Sequence, residues 1–201
     1  MIFDIVKKNL QERGYQVSCF ENADQAVEYL DGQIRGKTVG FGGSMTLEQM
    51  GLYPKLVVQN RVSWHWKPAQ EQTTEEICRQ ASSAQIYISS VNGIAETGEI
   101  VNIDGACNRI SAMLYGHENV YLVAGINKLA KDYDSALFRA RNVAAPKNAR
   151  RLARKTPCAL QSERCYDCKS PDRICRALSV LWAKPSSGVY EVVLINEELG
   201  F

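Results

Sequence analysis

The sequence contains no long uncharged apolar run. Its first apolar stretch is interrupted by Asp4 and is too short for a signal peptide, and no segment reaches the roughly 20 apolar residues of a transmembrane helix. These absences predict a cytoplasmic protein that has no membrane partner.

A strong excess of charge is also missing. The 24 Lys and Arg residues nearly balance the 22 Asp and Glu residues, and the formal net charge is +2. A charge this small gives no electrostatic argument for nucleic acid, so we expect no such partner. Since the 201 residues are 45% hydrophobic, we expect one globular domain over residues 1–201.

Histidine is scarce, with two residues in the chain. His65 alone therefore does not argue for a metal ligand or a catalytic base. It lies in the predicted loop 60–72, where Trp64, Trp66 and Lys67 place aromatic rings next to basic side chains. Such a loop can stack on a nucleotide base, or it can pack over the body of the protein as a hydrophobic clasp.

The common nucleotide-binding motifs are absent from the glycine-rich turn that follows Thr38 and Val39. The run Gly40-Phe41-Gly42-Gly43-Ser44 has neither the GxGxxG spacing nor the Lys-Ser/Thr pair of a P-loop. It still predicts a strand, a tight turn and a helix start, where free N–H groups can hold a phosphate or carboxylate. The alternative is that these glycines serve only close packing.

Alternating strand and helix patterns predict an α/β fold whose central sheet is largely parallel. In such a sheet ligands gather at the carboxyl ends of the strands. The predicted strands are 15–20, 38–39, 56–58, 84–90, a short one within 92–105, 120–124 and 189–195. The predicted helices include 2–13, one capped by Asn22, one ending near Gly51, one capped by Thr73 or Thr74 that runs through Ser82, 110–115 and 134–143. The basic run 147–155 is typical of a solvated helix face or of a surface for an acidic partner.

Acidic residues are dense in segment 92–105. Glu96, Glu99 and Asp104 lie there beside turn-forming residues, and carboxylates at this density suit proton transfer in a pocket. They can equally be turn formers and solvated strand residues.

The seven cysteines form no even set, and a disulfide framework is not expected in a cytoplasmic protein. Four of them fall within segment 156–176 in the spacing C-x6-C-x2-C-x6-C, and we call 156–176 the cysteine-rich segment. Four thiolates from one short loop suit a four-iron four-sulfur cluster or a zinc ion, with reduced, unligated thiols as the alternative. We favour the cluster, and the predicted ligands are Cys158, Cys165, Cys168 and Cys175.

Several of these stretches together resemble the lactate-utilisation (LUD-domain, formerly DUF162) proteins. The stretches are Gly42 to Glu48, Glu96 to Gly105, Asn108-Arg109 and Val123 to Lys128. The cysteine-rich segment is similar to that of a shorter branch of this family. The resemblance implies a fold similar to the sugar-phosphate isomerase and coenzyme A transferase superfamily, which is an α/β sandwich with a largely parallel central sheet.

The resemblance also implies a site for a small anionic metabolite. It implies an anion cradle at the glycine turn, proton-transferring or acyl-capturing acids on nearby loops, and cations that balance the substrate. Mapped onto this sequence, the ligand-binding residues are Gly42, Gly43, Ser44, Met45, Thr46, Asn108, Arg109, Asn127 and Lys128, and the catalytic acids are Glu96, Glu99 and Asp104.

Three functions are compatible with the sequence. The first is an accessory protein or subunit in the oxidation of lactate or a similar small carboxylic acid, working with an iron–sulfur or flavin oxidoreductase subunit. The second is an enzyme of the isomerase or CoA-transferase type that acts on a phosphorylated or CoA-linked metabolite. The third is a non-catalytic binding module in which zinc holds the cysteine-rich segment together.

Overall fold

The structure is a computed structural model that describes residues 2–68, 71–161 and 164–201. Ala69 and Gln70 of the predicted loop 60–72, and Ser162 and Glu163 of the cysteine-rich segment, lie outside the described residues. No helix in the described part of the chain has the length and apolar character needed to cross a bilayer.

The chain alternates between strands and helices, as the sequence predicts. The helices are α1 (Asp4–Glu12), α2 (Ala23–Gln33), α3 (Met45–Gln49), α4 (Leu52–Leu56), α5 (Thr74–Ser82), α6 (Asn108–Leu114), α7 (Tyr133–Arg139), α8 (Ala145–Arg151) and α9 (Pro157–Gln161). The strands are β1 (Gln16–Phe20), β2 (Thr38–Phe41), β3 (Arg61–Ser63), β4 (Ile86–Ser90), β5 (Gly93–Ala95), β6 (Ile100–Asp104), β7 (Asn119–Gly125), β8 (Leu129–Ala130), β9 (Ala177–Leu181) and β10 (Val189–Ile195).

Among the described residues, six strands form a parallel sheet in the order β1-β10-β7-β4-β2-β3. A second sheet has the order β8-β5-β6-β9. It is mixed, because β5 and β8 run parallel whereas β6 runs antiparallel to both of its neighbours. Since β4 lies between β2 and β7, the loops that follow these three strands emerge side by side at one edge of the parallel sheet.

Alternate residues of the parallel sheet enter two hydrophobic clusters on its opposite faces. On β7, for example, Leu122 joins the cluster under α1 and α6, whereas Val123 joins the cluster under α2, α3 and α4. This period of two is what a strand with both faces covered requires. The observed architecture is an α/β sandwich, which confirms the predicted fold class.

Side-chain caps start several helices where the sequence predicts them. Asn22 accepts a hydrogen bond from the backbone N–H of Gln25, and Thr73 forms a reciprocal capping box with Glu76. Local sequence is sufficient to place these helix starts.

The structure differs from the predicted elements at three places. Segment 56–58 is not a strand: Leu56 is fully buried as the end of α4, and the next strand begins at Arg61. The predicted helix 134–143 begins at Tyr133 and continues through a π-helical stretch, Ala140–Ala144, into α8, which has Pro146 in its first turn. Strand β9, at the end of the cysteine-rich segment, has no counterpart in the sequence prediction.

Candidate functional site

A cavity of about 500 Å³ opens where the loops after β2, β4 and β7 meet. The glycine turn and the loop that carries Ser90 to Asn92 form part of its wall, and Lys128 lies at its base. The second sheet contributes the end of β6, and α8 and the cysteine-rich segment close the far side. The cavity has the size typical of a site for a small molecule.

Lys128 is 4% exposed, although it lines the cavity. Its Nζ donates hydrogen bonds to Thr46 Oγ1 at 2.8 Å and to Ser90 Oγ at 2.7 Å. Thr46 donates in turn to the carbonyl of Leu199 at 3.1 Å. The three loops are therefore joined at one amine, which is surrounded by hydroxyl groups.

The electrostatic environment of Lys128 disfavours its charged form. Among the described residues no carboxylate lies within ion-pair distance of Nζ, and its hydrogen-bonded partners are hydroxyls. Burial, followed by the charges of Arg139 and Arg109, holds the pKa of Lys128 well below its usual range. A buried lysine without an anionic partner is costly to keep charged, so this environment favours the neutral form of the amine.

Arg109 lies in the cavity wall, and most of the N–H donors of its guanidinium are already hydrogen-bonded to the protein. Its guanidinium donates to the carbonyls of Ser90 and Ile103 and to the side chains of Asn92 and Asn102, at 2.7 to 3.2 Å. These bonds fix the ends of β4 and β6 to each other. Arg109 lines the cavity, as the resemblance implies, but most of its hydrogen bonds hold the fold.

Asp104 is the only one of the three predicted acids that lines the cavity. Its carboxylate accepts from the backbone N–H groups of Gly105 at 2.7 Å and Ile110 at 3.1 Å. One oxygen therefore holds the start of α6, and the other holds the turn that precedes it.

Glu96 and Glu99 lie away from the cavity. Glu99 is buried and paired with Arg13 of the chain after α1, at 2.6 Å between Oε1 and Nη2, and it also accepts from the hydroxyl of Thr97. Burial opposes its ionisation, but the hydrogen bonds from Thr97 and its own backbone and the charge of Arg13 outweigh this, and the pKa of Glu99 is lowered. This geometry makes Glu99 a structural link between α1 and the second sheet.

The predicted ligand-binding residues divide into two groups. Gly43, Ser44, Met45, Asn108, Arg109 and Lys128 line the cavity. Gly42, Thr46 and Asn127 stand behind it: Thr46 holds Lys128, and Asn127 accepts from the N–H of Leu199 at 3.1 Å. At Gly42 a Cβ atom would lie 2.5 Å from Ser89 Oγ, so this glycine serves close packing.

Basic side chains surround the mouth of the cavity. Four arginines line this mouth: Arg151, Arg154, Arg173 and Arg176. Among the described lining residues, the side-chain carboxylates are those of Asp104 and Asp172. Asp172 is paired with Arg154 at 3.3 Å, and the arginines outnumber the carboxylates, so the local field at the mouth is positive although the net charge of the chain is small.

The His65–Trp66 pair covers one side of the glycine turn. Trp66 stacks on the buried Trp64 with ring centroids 5.4 Å apart, and the guanidinium of Arg151 lies 4.8 Å from the centroid of the Trp66 ring. A Cβ at Gly43 would lie 3.2 Å from the His65 ring and from Trp66 Nε1, so the glycine permits this close approach. The described part of loop 60–72 therefore packs over the body of the protein as a hydrophobic clasp, which is one of the two arrangements that the sequence predicts.

His65, Trp66 and the mouth arginines are not among the site residues predicted from the sequence. Two sequence features point to these residues: the mixed aromatic and basic loop, and the basic run 147–155, whose Arg151 packs on Trp66. Neither signal specifies which surface it faces, because the cavity is formed by elements that are distant in the chain.

The cysteine-rich segment contributes Arg173, Arg176 and neighbouring residues to the cavity wall. Behind it lies a second cavity of about 300 Å³, lined by Cys165 and Cys175 and sharing Arg173 with the first. Arg173 Nη2 lies 3.4 Å from Cys175 Sγ, and the backbone N–H of Asp167 lies 3.4 Å from Cys165 Sγ. In residues 2–68, 71–161 and 164–201, no three His, Cys, Asp or Glu side chains form a group that could hold a metal ion. The predicted four-cysteine centre stays a prediction.

Comparison with known proteins identifies the family. The LUD domain model matches residues 4–195, which is nearly the whole chain. The chain belongs to the LUD domain family. The glycine turn, the strand that ends at Asp104 and the loop that carries Lys128 all fall within the matched LUD domain.

The fold of this LUD domain is shared with a solved structure. A DUF162 family protein from Deinococcus radiodurans aligns with a TM-score of 0.55 at 10% sequence identity, and the alignment covers 96% of each chain. The eIF2B beta protein from Chaetomium thermophilum aligns over 66% of this chain and 44% of its own at 12% identity, with a TM-score of 0.33 that supports no inference. Comparison with the curated proteins found no match.

Proposed function

We propose that this LUD domain protein binds a small anionic metabolite, phosphorylated or CoA-linked, in the 500 Å³ cavity and transforms it in the manner of an isomerase or CoA-transferase. The observation that carries the proposal is the neutral-prone amine of Lys128 at the base of a cavity whose mouth is lined by four arginines. Guanidinium groups recognise phosphate and carboxylate oxygens through paired hydrogen bonds.

The mouth and the base of the cavity would perform different tasks. Arg151, Arg154 and Arg176 are exposed and would hold the anionic group. Lys128 would accept or deliver a proton at the reacting carbon, because its amine is buried, hydrogen-bonded and held below its usual pKa. Glu96 and Glu99 lie outside the cavity, so this proposal gives them no chemical role.

Calorimetric titration with inorganic phosphate, ribose 5-phosphate and coenzyme A tests the proposal. At least one of these anions should bind to the wild type, and Arg151→Gln/Arg176→Gln should weaken it about tenfold or more, since each hydrogen bond to a charged group contributes about 1.5–3 kcal/mol. Arg79→Gln is the matched control, because Arg79 is exposed on α5 and pairs with Glu75. No binding of any of these anions, or equal loss in the control, would contradict the proposal.

A second candidate function is supported by the cysteine-rich segment. We propose that the four cysteines bind a four-iron four-sulfur cluster, or alternatively zinc, in a subunit that oxidises lactate or a similar small carboxylic acid together with an oxidoreductase partner. Two of the four thiols face one cavity, and N–H donors from Arg173 and from the backbone point at their sulfur atoms. Such donors stabilise metal-bound thiolates.

As they are placed, the described cysteines do not meet the geometry of a metal centre, so the segment would have to close around a metal. Metal and acid-labile sulfide analysis of protein purified without oxygen tests this, with a visible absorption spectrum. Iron and sulfide that vanish in Cys165→Ser/Cys168→Ser, and persist in the exposed control Cys19→Ser, are the expected result. Stoichiometric zinc alone would make the centre structural and overturn the redox role, and absence of metal would overturn both versions.

A further inference from the structure

Lys128 lines the cavity, and its amine is held there by two hydroxyl groups. Its side chain is nearly fully buried in protein, yet the residue lines the cavity, and two of its hydrogen-bonding positions are occupied by Thr46 and Ser90. A lysine becomes a nucleophile when it is desolvated or lies near other cations, and both conditions hold here.

We propose that Lys128 forms a covalent imine with an anionic carbonyl compound, either a 2-oxo acid or an open-chain sugar phosphate. The inference rests on the proposed anion site, because the mouth arginines would hold the carboxylate or phosphate while the carbonyl carbon reaches Nζ. Both ligand types share this chemistry: a carbonyl carbon a few bonds away from an anionic group.

The step balances without a redox partner. The lone pair of Nζ attacks the carbonyl carbon and forms the C–N bond, while the carbonyl oxygen takes up the amine proton and becomes the hydroxyl of a carbinolamine. A second proton, from a hydronium ion of the solvent, converts this hydroxyl to water, which leaves as the C=N bond of the iminium forms. The hydroxyl of Ser90 lies 2.7 Å from Nζ and can pass the first proton, and Thr46 holds the amine from its other side.

The surroundings distinguish Lys128 from the other lysines. Lys131, three residues further along the chain, is exposed to solvent. An exposed lysine lacks the burial and the neighbouring cations that make a lysine amine nucleophilic, so it reacts slowly with carbonyl compounds. Lys131→Met is consequently a matched control that removes a neighbouring amine without touching the cavity.

Reductive trapping tests the proposal on the wild-type chain. The protein is incubated with pyruvate or with ribose 5-phosphate, sodium borohydride is added, and the modified peptide is identified by mass spectrometry. The expected result is a single adduct on Lys128, with a mass increase equal to the carbonyl compound less one oxygen atom. The adduct should persist in Lys131→Met, vanish in Lys128→Met and Lys128→Arg, and decrease when inorganic phosphate competes for the arginines.

The two probes separate the two substrate classes, and a neutral ketone such as acetone should give no adduct because the arginines cannot hold it. Label spread over exposed lysines, or no adduct on Lys128 in the wild type, would overturn the proposal. If the anions bind by calorimetry but leave no adduct, the imine is wrong and the anion site stands. If no anion binds and no adduct forms, both are wrong.

Discussion

Glu99 shows how a residue chosen as a catalytic acid from sequence can have a structural task. Its carboxylate is nine-tenths buried and joins Arg13 and Thr97, which brings the end of α1 against the second sheet. A carboxylate in this position is stabilised in its charged form, and the lowered pKa of Glu99 expresses that stabilisation.

We therefore predict that Glu99→Gln lowers the free energy of unfolding by about 2 kcal/mol at pH 7. Because the pKa of Glu99 is lower in the folded state than in the unfolded chain, its contribution is complete above the unfolded value of about 4.3 and is lost as pH falls through the folded pKa. The difference between wild type and variant in urea unfolding should consequently shrink below about pH 4.

Glu96→Gln is the control for this prediction. The described hydrogen bonds of Glu96 are made by its backbone, so replacing its side chain should change stability by less than about 0.5 kcal/mol. A pH-independent loss in Glu99→Gln, or an equal loss in Glu96→Gln, would show that the ion pair does not stabilise the fold.

Gly43 controls the distance between the glycine turn and the clasp. A Cβ there would meet His65 and Trp66 at 3.2 Å, and these rings would have to move by a few tenths of an ångström. We predict that Gly43→Ala weakens phosphate binding by about 1 kcal/mol, or about fivefold, and shifts the tryptophan fluorescence. Binding that remains at the wild-type level would exclude the clasp from the anion site.

At the scale of secondary-structure elements, the contact between β2 and α5 has almost no free space. A Cβ at Gly40 would lie 2.2 Å from the carbonyl oxygen of Ala81, an atom of the helix backbone that cannot rotate away. The glycine in β2 is therefore required by packing, even though Gly43, three residues further along the chain, lines the cavity.

Gly40→Ala should accordingly lower the free energy of unfolding by about 3 kcal/mol or more, because the strand and the helix must separate. Gly32→Ala is the opposite case: it lies inside α2 with no atom within 4 Å of the added Cβ, and a gain of about 0.5–1 kcal/mol is expected. Denaturant unfolding of both variants measures the difference, and similar midpoints would refute the packing argument.

The helical segment α7 to α8 positions one side of the cavity through an irregularity. A π-helical stretch, Ala140–Ala144, separates the two helices. At its start Arg139 donates to the carbonyls of Asn127 and Asn92, at 2.6 and 2.5 Å, while Arg151 at the other end of α8 packs on Trp66. The wider turn thus lets one continuous helix hold the Lys128 loop and reach the cavity mouth.

At the scale of the whole molecule, the two sheets share a hydrophobic core. The cluster that contains Leu122 and Leu194 of the parallel sheet also contains Ile94, Ile100 and Leu181 of the second sheet. Neither sheet can lose its packing without exposing apolar surface of the other.

The chain should therefore unfold in one transition, as the prediction of a single domain requires. Trp182 is exposed and pairs with Tyr133, so Trp182→Phe leaves the buried Trp64 and its neighbour Trp66 as fluorescent reporters. In this variant the midpoints from tryptophan fluorescence and far-ultraviolet circular dichroism should coincide in guanidinium titration. Two separated transitions would show two independent units.

Local pattern was enough to predict the class of fold, most helix starts and the family. Period-two runs and capping residues such as Asn22 and Thr73 act on their immediate neighbours, so the sequence specifies them directly. The strand predicted at 56–58 was wrong because of tertiary packing. Its apolar residues suit a strand, but Leu56 is buried as the end of α4.

The sequence by itself determined the composition of the site, and the tertiary structure decided its geometry. The motif residues Ser44, Arg109 and Lys128 were recognised as candidates, but only the strand order places Lys128 against Thr46 and Ser90, which are 82 and 38 positions away. The same order leaves Glu99 to pair with Arg13, 86 positions earlier. Contacts at such separations depend on how whole strands and helices pack, and no local pattern encodes that choice.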